Sequence, residues 1–75
     1  MRMLDATFVD LNSSALARVA FDESRHDLHG EFHDGSVYVY RGVTAAVYLE
    51  LLTAQSQGGY FNRKIRNTYV SESLS

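Results

Sequence analysis

The sequence predicts a two-layer α+β domain, in which a three-stranded antiparallel meander is followed by one main helix and a short C-terminal helix in the order β-β-β-α-α. Three observations carry this. Apolar residues alternate with period two in the segments between residues 15 and 42, then recur at helical spacing from residue 45 onward. Clusters of turn formers at Asn12-Ser13-Ser14, Asp22-Glu23-Ser24, Asp34-Gly35-Ser36 and Gly58-Gly59 divide the chain into pieces of strand or helix length, and there is no proline. Finally, 75 residues that are 45% hydrophobic and 21% charged are enough for one folded core and not for two.

The first strand is expected over residues 15–21, where Ala17, Val19 and Phe21 alternate with Leu16, Arg18 and Ala20. The second, residues 27–33, sets Leu28, Gly30 and Phe32 on one face and His29, Glu31 and His33 on the other. Asp34-Gly35 then signals a hairpin, because glycine accepts the positive φ of a tight turn. Strand three is VYVYRG, residues 37–42. Its buried side depends on the turn. A two-residue loop buries the valines. A three-residue loop of His33, Asp34 and Gly35, with Gly35 in a bulge, pairs Phe32 with Ser36 and places Tyr38 and Tyr40 on the core. The second is favoured, since two tyrosines give a small core more apolar area.

Residues 45–57 form the main helix, with Thr44 as N-cap, Gly58 as the stop, and Val47, Tyr48, Leu51 and Leu52 as the stripe that meets the sheet. From Tyr60 onward the spacing is again helical. Phe61, Ile65, Thr68 and Tyr69 share one side, with Arg63, Arg66 and Asn67 opposite and Lys64 at the margin. Asn62 alternatively caps a shorter helix from Arg63. Residues 12–69 are thus the domain, residues 1–11 a poorly ordered arm and residues 70–75 a frayed tail.

Composition narrows function. With no cysteine there is neither a disulfide framework nor a cysteine-based zinc site. No apolar run approaches the roughly 20 residues that cross a bilayer, and the acids of the N-terminus do not suit a signal peptide, so a cytoplasmic location is expected, with no membrane partner. The net charge of −2 conceals an asymmetry. Residues 1–37 carry seven acids and three bases, and residues 38–75 carry two acids and four bases.

That basic excess is concentrated in Gly59 to Tyr69, GYFNRKIRNTY, where cations, amides and aromatic rings alternate. Cations that pair with phosphates beside rings that stack on bases are the chemistry of single-stranded nucleic-acid binding. The candidate residues are Arg63, Lys64, Arg66 and Asn67, with Tyr60 as a stacking platform and Arg41 extending the patch. The competing structural reading keeps Phe61, Ile65 and Tyr69 in the core, Asn62 as a cap, and Arg66 against a helix end or an acid such as Glu50.

The order SSAL, VAFD, LHGEFHDGSVYVYRGV, VYLELLTAQSQGGYFNRKIRNTY resembles the KTSC domain, named for a segment at the C-terminus of some lysyl-tRNA synthetases and also found as a stand-alone small bacterial protein. The resemblance rests on Tyr38 and Tyr40, and on Gly58, Tyr60, Phe61, Asn62, Ile65, Arg66 and Tyr69. It departs from the family at Thr44, where a proline is frequent; both suit a helix start. It implies that the two tyrosines pack and, through the synthetase context, that RNA is a partner.

His29, Glu31 and His33, with His26 nearby, are read as solvated side chains of an exposed strand face and not as a metal site. No nucleophile elbow or phosphate-cradling glycine loop is present, so no enzyme and no cofactor is expected. A third class is a protein-interaction module, or homodimer, that uses an open sheet face bearing Val37 and Val39, or a sheet edge. Alternatively, the terminal segment closes over that face.

Overall fold

A period-two pattern does build the sheet, but with two more strands than expected. The computed structural model describes residues 8–74; residues 1–7 of the expected arm and Ser75 of the tail lie outside them. The strands are β1 (Val9–Asp10), β2 (Leu16–Asp22), β3 (Asp27–Phe32), β4 (Val37–Arg41) and β5 (Ser71–Ser73). They form one antiparallel sheet in the order β1-β2-β3-β4-β5. The three-stranded meander is therefore corrected to five strands. Both added strands are short edges, which present little unpaired backbone to another chain. They fall in segments without alternation, and backbone pairing with a preformed neighbour defines them.

The β3–β4 hairpin takes the bulged form. The Phe32 and Gly35 amides donate to Ser36 and Phe32 carbonyls, and Gly35 has φ +92°. Asp34 caps the turn by accepting from the Ser36 amide and hydroxyl at 2.9 and 2.7 Å, and these bonds hold its carboxyl below the ordinary range. Gly30 then pairs with Tyr38 and Leu28 with Tyr40, so both tyrosines join the core. A Cβ on Gly30 would stand 3.1 Å from Leu16, so the glycine admits its neighbours to the core.

Strand β2 departs from simple alternation. Leu16 pairs with Phe32 and Arg18 with Glu31, leaving one extra residue between them. This bulge changes the phase, so that Leu16 and Val19 are both buried, although alternation puts them on opposite faces.

The main helix α1 spans Ala45–Thr53, capped by Thr44, whose hydroxyl accepts from the Val47 amide. Leu51 is buried, and Val47, Tyr48 and Leu52 pack against the core as their spacing predicts. The helix ends four residues earlier than expected. Gln57 reaches back to the Leu52 carbonyl at 3.1 Å and accepts the Asn12 amide at 2.7 Å. Gly58 is not the stop but lies inside a second helix, α2 (Gln57–Tyr60), capped by Ser56. A Cβ there would come 2.8 Å from the Ser13 hydroxyl, which gives this signature glycine a packing role.

Helix α2 runs directly into a π-helical segment, Phe61–Arg66. Asn62 lies within it and does not cap a helix. Phe61 and Ile65 are 2% and 0% exposed. The Phe61 ring meets Phe32 and Tyr40 edge-on at 5.9 and 5.2 Å, an arrangement that suits aromatic quadrupoles. Thr68, expected beside them, is exposed. Val39, weighed as part of an open apolar face, is 1% exposed.

Candidate nucleic-acid interface

Helical spacing separates the C-terminal run as the sequence suggests. Phe61 and Ile65 point into the core, while Arg63, Lys64, Arg66 and Asn67 are exposed. A widened π turn is uncommon and recurs at functional sites. Within it Arg66 donates to Asn62 at 3.4 Å. None of Arg63, Lys64 and Arg66 forms an ion pair among the described residues.

Two of the candidates are engaged elsewhere. The Arg41 guanidinium spans Asp27 at 3.0 Å and Glu72 at 2.7 Å, which ties β3, β4 and β5 together. The bond to Glu72 leads in raising its pKa, and Asp27 adds to it. Tyr60 is half-buried against the core, with its hydroxyl donating to Glu50 at 2.6 Å. Burial, reinforced by that carboxylate, pushes the phenol up to about 12. It is a fixed ring, tethered between helices through its hydroxyl.

Sequence reasoning missed a pocket of ≈ 370 Å³ beside the cations. Phe32, Tyr38 and Tyr40 of the sheet supply its rings. Asp34 and Ser36 come from the hairpin turn, Arg66 and Asn67 from the end of the π-helical segment, and Ser71 from β5. The Phe32 and Tyr38 rings meet edge-on at 5.9 Å. Tyr40 is raised by burial while the nearby Arg66 charge lowers it in part. The signature tyrosines thus serve the core with their rings and the pocket with their remaining surface. The pocket draws on residues 32 to 71, and only the Tyr-x-Tyr and the closing Ile-Arg hint at it.

The histidines do not converge. His26 has φ +56° in the β2–β3 turn, His33 contacts the Ser13 carbonyl through Nε2 at 2.9 Å, and His29 keeps a buried Nδ1 without a partner among the described residues. Among those residues no helix is long and apolar enough to cross a membrane.

An antiparallel meander with its helices on one face, and a pocket between turn, sheet and π-helical segment, define a small two-layer α+β domain. The chain belongs to the KTSC domain family, whose profile matches residues 12–69. It is 38% identical over 55 residues to an uncharacterised protein of Stutzerimonas stutzeri (strain A1501), covering 73% of this chain and 78% of that protein. The fold is also that of the crystal structure of a KTSC domain protein from Yersinia pestis, with a TM-score of 0.87 at 20% identity, covering 92% of this chain and 97% of the other.

Proposed function

We propose that this domain is a non-enzymatic, cytoplasmic binder of single-stranded RNA, weak and salt-sensitive, which meets the phosphate backbone with Arg63, Lys64 and Arg66. The observation that carries the reading is that these three cations are exposed and form no ion pair among the described residues, whereas Arg18, Arg25 and Arg41 each have a carboxylate partner. Unpaired cations on one short segment are available to phosphate at no cost in broken ion pairs. The resemblance to a domain named for lysyl-tRNA synthetases favours RNA over DNA.

Titration with short RNA and single-stranded DNA at low and moderate salt tests this by following the amides of residues 58–69. Three phosphate contacts predict a log–log salt slope of roughly −2. If those amides stay still at millimolar protein while sedimentation reports a dimer, the RNA reading fails. The interaction module then gains. Its support is the exposed apolar pair beside β5, Val70 at 76% and Leu74 at 52% exposure, which a partner protein or a second copy would cover.

A further inference from the structure

We propose that the pocket lined by Tyr40, Arg66 and Asp34 is a mononucleotide subsite that holds one unpaired guanine nucleotide, its phosphate on Tyr40 and Arg66 and its base edge on Asp34. The inference takes its ligand class from the RNA reading and adds a place for a single base. The pocket, at ≈ 370 Å³, falls within the range of small-ligand sites.

The first argument is the Tyr40 hydroxyl. Tyr40 is 3% exposed, yet its hydroxyl has no hydrogen-bond partner among the described residues and is not sealed in, while the side chain lines the pocket. Packing against Phe61 accounts for the ring and would be served equally by phenylalanine. The hydroxyl is a donor left open to the pocket. Arg66 lines the same pocket, and its charge partly offsets the effect of burial on that phenol. A neutral phenol and a guanidinium together suit a phosphate oxygen.

An anion alone does not suit this wall, because the Asp34 carboxylate that caps the hairpin turn also lines it and repels a second anion. Asp34 uses Oδ1 for both bonds to Ser36, and Oδ2 accepts from no other residue among the described ones. Asp34 and Arg66 share the pocket without an ion pair to each other. A ligand that satisfies both needs an anionic end and an end rich in donors. Guanine presents N1–H and N2–H₂ side by side to an acceptor-only carboxylate, whereas uracil flanks its single N–H with carbonyls. Phe32 and Tyr38 supply ring surface for the base.

The test is a titration of the isotope-labelled intact protein with GMP, UMP and inorganic phosphate. GMP is expected to move the amides of Ser36, Tyr40, Asn67 and Ser71, with UMP at least about fivefold weaker and inorganic phosphate weaker still. Tyr40→Phe, which removes no hydrogen bond among the described residues, should leave the unfolding temperature unchanged and weaken GMP about tenfold. Asp34→Asn should abolish the preference for guanine. Shifts outside the pocket, inorganic phosphate equal to GMP, or unchanged GMP binding by Tyr40→Phe would each overturn the subsite. If oligonucleotides still bind through Arg63 and Lys64 while GMP does not, the subsite falls and the RNA reading stands. GMP binding without oligonucleotide binding keeps the subsite, with a free nucleotide as its ligand, and removes the RNA reading.

Discussion

The six cations of the described chain divide by region. In the sheet and its turns, Arg18 faces Asp10 and Glu31, Arg25 faces Asp22, and Arg41 is clasped by Asp27 and Glu72. On the π-helical segment, Arg63, Lys64 and Arg66 form no ion pair among the described residues. A net charge of −2 therefore says little about what the surface offers a polyanion. The acids neutralise the cations near them in space and leave a short basic segment over a pocket. Core and surface divide the same segment again, since Phe61 and Ile65 alternate with those cations.

The sharpest way to break that second division is Phe61→Ala, which should destabilise the domain by roughly 3–5 kcal/mol in denaturant unfolding, against less than about 0.5 kcal/mol for Lys64→Ala. Equal losses would mean that the whole run is structural. Gly58→Ala comes next. The added methyl meets the Ser13 hydroxyl, so a loss of about 1 kcal/mol is expected, and Ser13→Ala in the same chain should recover part of it in a double-mutant cycle.

The division of the cations is tested by affinity. Arg63→Gln and Lys64→Gln should each weaken RNA several-fold and reduce the salt slope by about 0.7, while Arg41→Gln should lower stability and leave RNA affinity unchanged. An Arg41→Gln effect on RNA as large as that of Arg63→Gln would abolish the distinction. The smallest effect is at high pH. Tyr60 has a folded pKa raised from 10.0 to about 12, so the stability it contributes is complete below pH 10 and is lost as pH rises towards 12. Tyr60→Phe should remove that component of the alkaline unfolding profile.

Much of this was legible in the residues because it follows local rules. The Asp34-Gly35 turn chemistry set the hairpin register, and register decided that Tyr38 and Tyr40 face inward. Thr44 and the Val47 to Leu52 stripe set the main helix. The edge strands were not legible, since two and three residues carry no period and are ordered by the neighbour they pair with. The π-helical segment was hidden because Phe61 and Ile65 at i, i+4 satisfy an ordinary helix equally well. The engagement of Arg41 and Tyr60 depended on Asp27, Glu72 and Glu50, up to 31 residues away along the chain. The pocket gathers residues from turn, strands and helix, and no sequence window contains it.

The bulge in β2 gives this small domain one place where its length is negotiable. Ala17 is the residue by which the strand exceeds its partner, and without it Leu16, Arg18 and Val19 would fall in plain in, out, in order on the faces they already occupy. A chain one residue shorter at that point could keep the same interior, whereas a deletion in regular β3 would turn every side chain on one flank to the opposite face.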